Sequence, residues 1–162
     1  MGRLDEAREI LKEILYRDPE NIIARTNLAA VSRDMGRLDE AELLLFEAIE
    51  LQKIKSKHPN PSIAKLYNNL AAVMIDKRDY YKATELLEHA LQIYNHSNSG
   101  SPAKFNLLAN LATLFFLMGK TKQAIDYIKK AEKGALKVLP IDHPIVKNIL
   151  SIHADIDKKH SH

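Results

Sequence analysis

The sequence has no cysteine, no long apolar run and no amino-terminal signal segment. The absence of thiols excludes disulfides and thiolate metal sites. The longest apolar stretch, Leu107 to Met118, is shorter than the roughly 20 residues that cross a bilayer, and Asn110 and Thr113 interrupt it. Residues 1–20 are charged throughout, unlike a secretion signal. These absences predict a cytoplasmic protein without a membrane partner.

Motifs that carry catalysis or metal binding are absent as well. The sequence has 7 histidines, but no pair has the i, i+4 spacing with a glutamate that a zinc-binding helix needs. It has no glycine-rich phosphate loop and no nucleophile elbow. We therefore predict no enzymatic activity, no catalytic residue, no metal and no cofactor.

Charge of one sign is not gathered into blocks along the sequence. The net charge is +3, and acidic and basic residues alternate, as they do on a solvated surface. The one local basic cluster, Lys53, Lys55, Lys57 and His58, lies at a predicted helix end, where cations suit the helix dipole. Since a nucleic-acid surface needs a larger basic footprint, no nucleic-acid partner is predicted.

What the sequence does contain is an internal repeat. Residues 1–7 and residues 35–41 both read MGRLDEA, an offset of 34 residues. Four prolines, Pro19, Pro61, Pro102 and Pro144, are spaced 42, 41 and 42 residues apart. A proline followed at a fixed distance by a small residue indicates a helix start and a close helix contact. The residues nine and ten positions after the prolines are Leu28 and Ala29, Leu70 and Ala71, Leu111 and Ala112, and His153 and Ala154.

The second half of each unit recurs too. Ala41, Ala83 and Ala124 each follow a break, at Met35-Gly36, Lys77-Arg78 and Met118-Gly119. Glycine permits the left-handed turn that ends a helix, so Arg78 in its place predicts a turn that is strained or differently built. The pattern indicates helical hairpins without strands. The predicted helices lie near 3–17, 20–35, 37–55, 62–77, 79–95, 103–118, 120–138 and 143–158.

These residues resemble the tetratricopeptide repeat, a helix-turn-helix unit with small residues at its two crossing points and a closing proline. The pattern is matched by residues 27–51, 68–94 and 110–131. The stretches HPNPSIAKLYNNLA and DHPIVKNILSIHA are similar to the 42-residue repeats of kinesin light chains. The resemblance implies an all-α, right-handed solenoid of stacked hairpins in one domain, residues 1–162. Its expected parts are a half repeat at 1–19, repeats at 20–60, 61–101 and 102–142, and a capping helix at 143–159.

The resemblance also implies a function, a non-catalytic protein–protein interaction scaffold that binds a partner in a concave groove. The first helix of each hairpin would line that groove. Helical periodicity selects the residues that face away from the crossing leucine and alanine. The expected partner-binding residues are Asn27, Arg33, Lys65, Asn68, Asn69, Ile75, Asn106, Asn110, Thr113, Phe116 and Leu117.

Asn27, Asn69 and Asn110 occupy the same place in every complete unit, directly before the crossing leucine. A carboxamide both donates and accepts hydrogen bonds, as the main chain of an extended peptide requires. In similar repeats an asparagine at this place commonly contacts the bound peptide. Hydrogen bonding between hairpins is the alternative role for these side chains.

Phe116 and Leu117 extend an apolar run onto the predicted groove face. They would form a pocket for an anchoring side chain, with Ile75 as a neighbouring wall, or they would pack in the core. Asn106 and Asn110 stand where similar repeats that clamp a terminal carboxylate carry basic residues. The resemblance therefore implies an internal peptide segment, or a helix, as the ligand.

Two alternative functions stay open. One is a regulatory repeat protein whose superhelix tightens when it senses a peptide. The other is an RNA-binding helical repeat of the pentatricopeptide type. The repeat spacing and the acidic Asp34 and Asp76 on the groove face argue against RNA.

The two ends of the chain differ in their apolar faces. The first helix carries an apolar stripe that a preceding helix would cover in a complete hairpin. Either the chain was cut from a longer array, or the stripe mediates self-association into a homodimer through Leu4, Ile10, Leu11 and Ile14. The last helix is expected to be a capping helix with one polar face, Asn148, Ser151, Asp155 and Lys158.

Overall fold

The computed structural model describes residues 2–56, 58, 60–96 and 101–160, with only the backbone described for residues 159 and 160. Lys57 of the basic cluster lies outside these ranges, and within them there are eight helices and no strand. The chain divides into two compact units, Met1–Leu86 (unit 1) and Leu87–His162 (unit 2). The helices are α1 (Arg3–Arg17), α2 (Ile22–Asp34), α3 (Leu38–Lys55), α4 (Pro61–Asp76), α5 (Tyr80–His96), α6 (Pro102–Leu117), α7 (Thr121–Ala135) and α8 (Pro144–His160).

Helix α2 begins later than the preceding proline predicts. The side chain of Asn21 accepts a hydrogen bond from the backbone N–H of Ala24 at 2.9 Å. This asparagine is therefore the N-cap, and helical geometry starts at Ile22 instead of residue 20. Asn60 caps α4 in the same way, with Pro61 at the start of the helix, where its fixed φ is favourable.

The three hairpin turns share one hydrogen-bond pattern. Gly36, Arg78 and Gly119 have φ angles of 74°, 62° and 72°. The residue after each of them donates its backbone N–H to a carbonyl near the end of the preceding helix, as Arg37 does to Ser32 at 2.8 Å. This is the Schellman ending of a helix. Arg78 thus adopts the glycine conformation although it has a β-carbon, which makes its turn the strained one of the three.

Helix α7 ends at Ala135, before the predicted end at residue 138. A turn over residues 136–138 follows, in which the N–H of Val138 bonds to the carbonyl of Ala135 at 3.1 Å. Gly134 is a poor helix former and Pro140 cannot continue a helix. The segment between these two residues therefore has a low helix propensity.

Unit 1 packs α1 on α2, α2 on α3 and α3 on α4. The crossing positions are buried as predicted, with Leu28 and Leu70 exposed by 4% and 5% and the crossing alanines essentially inaccessible. Alanine at these places lets two helix backbones approach closely. The buried crossing alanines of this unit are Ala29, Ala41, Ala71 and Ala83.

Unit 2 packs α6 on α7 and both of them on α8. Its buried crossing residues are Leu111, Ala112 and Ala124, and α8 buries Val146, Ile149 and Ile156 while its predicted polar face is exposed. His153, at the fourth crossing position, is half-buried instead of fully buried. Its Nδ1 pairs with Glu132 of α7 at 2.6 Å, so a polar contact replaces the usual leucine packing.

Among the described residues, none of the helices combines the length and the apolar character required to cross a bilayer.

Candidate partner-binding groove

A surface cavity of about 100 Å³ lies between α2 and α4 in unit 1. A cavity of about 150 Å³ can hold a benzene molecule, so this one has room for a small aliphatic side chain. Three alanines leave the space open because each extends only one carbon from the backbone. The lining consists of Thr26, Ala29, Ala30 and Arg33 from α2, Leu45 from α3, and Asn69, Ala72 and Val73 from α4.

Arg33 is held at this cavity by an ion pair with Asp76 of α4. The distance between Arg33 Nε and Asp76 Oδ2 is 2.5 Å, and the two side chains are 39% and 35% exposed. At this exposure the pair adds little to stability. It does direct the guanidinium group, whose two terminal nitrogens have no hydrogen-bond partner in the described part of the chain. The cavity thus has a positioned donor at its wall.

Asn69 presents an exposed carboxamide at the same cavity. Its side chain makes no hydrogen bond to any residue that the structure describes. Asn27 is exposed and unbonded in the same sense, but it does not line the cavity. Asn110, the third equivalent asparagine, is half-buried and already has a partner. The three asparagines therefore differ, and Asn69 alone among them combines availability with a neighbouring cavity.

The other predicted groove residues of unit 1 lie outside the cavity lining. Lys65 is exposed and makes no ion pair within the described ranges, and Asn68 is half-buried and has a partner. Ile75 is half-buried and does not line the cavity.

The predicted groove residues of unit 2 have mixed environments. Asn106 is half-buried, and Thr113 donates its hydroxyl to the carbonyl of Ala109, one turn earlier, at 3.1 Å. Phe116 is half-buried and already makes an interaction, whereas Leu117 is 51% exposed. Of the two apolar residues, Leu117 is therefore the one with more free surface.

Periodicity did not select Ala29, Leu45 and Val73 as lining residues. Each is almost completely buried and belongs to the interhelix contact, with its accessible edge at the floor of the cavity. Ala29 is a predicted crossing residue. Two small residues in succession, Ala29 and Ala30, leave space beside a helix, and that pair is the sequence signal for the cavity.

Ion pairs join α3 to the next hairpin in unit 1. Lys77 Nζ lies 2.7 Å from Asp39 Oδ1 and from Glu42 Oε2, and Lys82 Nζ lies 2.7 Å from Glu42 Oε1. The hydrogen bond from Lys77, followed by that from Lys82, lowers the pKa of Glu42. The hydrogen bond to Asp39, followed by that to Glu42, raises the pKa of Lys77. These charges link α3 to the end of α4 and the start of α5.

The apolar stripe of α1 is partly exposed. Ile10 is 60% exposed, Leu4 41% and Ile14 38%, whereas Leu11 is half-buried against the rest of unit 1. Three of the four residues expected on this surface are therefore accessible.

The side chains that line the cavity are a mixture of apolar and polar groups. In the ranges that the structure describes, no group of three or more histidine, aspartate and glutamate side chains is placed to hold a metal ion. What the cavity offers is apolar space, one carboxamide and one oriented guanidinium group.

Two family profiles, both described as tetratricopeptide repeat, match residues 1–70 and residues 62–137. The chain belongs to the tetratricopeptide repeat family. Such repeats are, in general, scaffolds for protein–protein interaction. A human tetratricopeptide repeat protein, tetratricopeptide repeat protein 19, mitochondrial, is 30% identical over 89 residues, which are 54% of this chain and 23% of that protein. The match thus spans less than a quarter of the relative's length.

Solved structures of tetratricopeptide solenoids are similar over almost the whole chain. One is a Podosopora anserina protein described as a kinesin light chain with nearly identical TPR-like repeats. Its TM-score is 0.79 at 20% identity, covering 99% of this chain and 80% of that one. Another is BtubC (BKLC) from P. vanneervenii, with a TM-score of 0.78 at 21% identity, covering 97% of this chain and 64% of that one. The predicted all-α fold of stacked hairpins, similar to kinesin light chain repeats, is confirmed.

Proposed function

We propose that this tetratricopeptide chain is a non-catalytic scaffold that binds a partner peptide or helix in the groove between α2 and α4. The observation that supports this most directly is the exposed carboxamide of Asn69 beside an apolar cavity. A partner main chain supplies both a donor and an acceptor for such a carboxamide. An internal segment can therefore bind without a free carboxylate.

The contacts have separate roles in this proposal. The cavity takes one small aliphatic side chain, whose burial contributes about 1.5 kcal/mol or more. Asn69 pairs with the main chain beside that side chain, and Arg33 donates to a carbonyl or carboxylate oxygen of the partner. The pair with Asp76 keeps the guanidinium group in place before the partner binds.

Further contacts are proposed for each unit separately. In unit 1 they are Asn27, Lys65, Asn68 and Ile75, and in unit 2 they are Asn106, Asn110, Thr113, Phe116 and Leu117.

A cytoplasmic location is part of the same proposal. Fluorescence microscopy of the tagged chain, with organelle markers, tests the location.

Self-association is proposed for α1, where Leu4, Ile10, Leu11 and Ile14 would face the same residues of a second copy. The exposure of three of these side chains supports it. Light scattering over a range of concentrations tests it, because a chain that stays monomeric at high concentration contradicts a homodimer.

The groove proposal is tested by affinity capture with two baits, the wild-type chain and Ala72→Met, which fills the cavity. Cross-linking then maps the captured partner onto the chain. We expect cross-links near α2 and α4 and loss of the partner from the filled variant. Equal capture by both baits, with cross-links elsewhere, contradicts the proposal.

A further inference from the structure

The net positive charge of this chain lies in unit 2. Residues 87–162 contain 10 lysines, 6 acidic residues and no arginine, whereas residues 1–86 contain 14 basic and 15 acidic residues. Unit 2 thus has a net charge of +4 and unit 1 a net charge of −1, with histidines neutral. The alternation of charges along the sequence conceals this separation.

Much of that charge lies on one face of α7. Four of its six exposed positions are lysines, and helical periodicity places the six within an arc of about 120°. The exposed positions of α3, by contrast, mix acids, lysines and large apolar residues. The exposed positions of α7 are Lys122, Gln123, Asp126, Lys129, Lys130 and Lys133.

Most of these lysines are not engaged by the rest of the chain. Lys122, Lys129 and Lys133 make no ion pair or hydrogen bond to any residue that the structure describes. Lys130 lies over the ring of Tyr127, at 5.4 Å from its centroid. Lys129 and Lys133, four residues apart, repel each other, whereas Asp126 attracts Lys122 and Lys130 at the same spacing. An anionic partner would relieve that repulsion.

Exposed aliphatic side chains follow directly after this face. Leu136, Val138 and Ile141 are 43%, 56% and 70% exposed. Leu136 keeps helical backbone angles at the end of α7, so it continues the line of Lys129 and Lys133. Ammonium groups and aliphatic side chains are therefore next to each other on one surface.

We propose that this α7 surface, formed by Lys122, Lys129, Lys130, Lys133 and Leu136, associates with anionic phospholipid membranes. Lysine is a flexible, strongly hydrated point charge, which suits a diffuse layer of phosphate and carboxylate groups. Arginine, which reads planar anions through paired hydrogen bonds, is absent from this unit. The aliphatic side chains can enter the boundary between headgroups and acyl chains.

This association differs from the membrane insertion that the sequence excluded. The prediction of no membrane partner rested on the lack of a spanning segment, and a protein that lies on the surface needs none. The proposal is independent of the groove, because every residue of the α7 surface lies in unit 2 and the cavity lies in unit 1. A scaffold with both properties would hold its partner at a membrane.

Vesicle co-sedimentation of the full chain tests the proposal. One set of vesicles is phosphatidylcholine alone, and the other contains roughly one third phosphatidylserine. We expect binding to the anionic vesicles only, weakening as salt is added. Lys129→Gln/Lys133→Gln should bind about 30-fold more weakly, which corresponds to about 1 kcal/mol for each ammonium group. Asp126→Asn should bind more tightly, because it removes the one negative charge on this face.

Matched controls separate this surface from general charge. Lys12→Gln/Lys53→Gln removes the same charge from unit 1 and should bind almost as the wild type does. Asn69→Ala should also leave vesicle binding unchanged. Equal binding of the wild type to neutral and anionic vesicles would overturn the proposal. Vesicle binding that is weakened equally in the two lysine double variants would also overturn it. Retention on an immobilised acidic polypeptide without vesicle binding would overturn it in favour of an acidic protein partner.

Discussion

The ring of Phe105 in α6 lies directly against Gly134 in α7. A β-carbon built on Gly134 would come within 2.5 Å of Cε1 and 3.0 Å of Cδ1 of that ring. Phe105 is 93% buried, since only 7% of it is exposed, so the ring has little room to move away. The glycine thus allows α6 and α7 to approach each other at this point.

Gly134→Ala should therefore destabilise the protein. Alanine favours a helix over glycine by about 1 kcal/mol, but overpacking a buried contact costs about 1–3 kcal/mol. We expect a net loss of about 1 kcal/mol in the free energy of unfolding, measured by urea denaturation. Phe105→Leu in the Gly134→Ala background should recover part of the loss. A variant more stable than the wild type would mean that the ring can shift at no cost.

Arg78→Gly should stabilise the turn between α4 and α5. Arg78 has a φ of 62°, and a left-handed conformation costs a residue with a β-carbon about 1–2 kcal/mol. Greater freedom of glycine in the unfolded chain offsets part of this gain. The expected gain is about 0.5–1 kcal/mol in urea denaturation. Gly119→Ala, at the equivalent turn, should change stability in the opposite direction.

Ser32→Ala should also stabilise the protein. The Ser32 hydroxyl is fully buried and has no hydrogen-bond partner among the described residues. Removing a buried, unbonded hydroxyl should raise the free energy of unfolding by about 1 kcal/mol. Ser151→Ala serves as the control, since Ser151 is exposed on α8 and reports helix propensity alone. If both variants gain equally, burial of the hydroxyl carries no penalty.

Glu42→Gln should make stability less dependent on pH in the acidic range. The pKa of Glu42 is lowered in the folded state by Lys77 and Lys82, so its contribution is present above the ordinary pKa of 4.5. That contribution is lost as the pH falls through the lower, folded-state pKa. We expect a loss of about 0.5 kcal/mol at neutral pH, which vanishes once the pH has fallen below the folded-state pKa.

The pH series needs a carboxylate without such partners for comparison. Glu6 is exposed and forms no ion pair within the described residues, so Glu6→Gln is the matched control for the removal of one carboxylate. A Glu42→Gln curve parallel to the wild-type curve from neutral to acidic pH would contradict the role of the two lysines.

Asn69→Ala should weaken binding of a partner peptide once one has been identified. The expected loss is about 0.5–1.5 kcal/mol, the net value of one hydrogen bond, measured by calorimetry. Asn148→Ala is the matched comparison, because Asn148 is also an exposed helical asparagine but is not among the proposed contacts. Unchanged affinity in Asn69→Ala/Phe116→Ala would refute the groove proposal.

Much of the architecture could be predicted because it depends on local patterns. Periodic apolar residues place the helices, and the regular recurrence of a proline, a leucine and an alanine identifies the hairpins and their crossing points. Gly36 and Gly119 identify two turns, since glycine adopts a positive φ without strain. The start of α2 was missed because the competing signal, the side-chain cap of Asn21, lies two residues after the proline.

The candidate site could be predicted only in part. Periodicity selected Arg33 and Asn69, which both line the cavity of unit 1, since helical spacing determines which residues of one helix share a face. Periodicity could not predict the ion pair between Arg33 and Asp76, which is 43 residues away, because that pair depends on how α2 lies beside α4. It also treated three asparagines as equivalent, although local packing leaves Asn69 available and engages Asn110.

The sequence by itself determined which segments form helices, where the hairpins turn and which residues cross, because those properties come from backbone preference and from repeating polarity. Only the tertiary structure decided which polar groups stay available, where a cavity remains between alanines and which charges have no partner. Those properties depend on distances between residues far apart in the chain, and a change of about an ångström there makes or removes a hydrogen bond.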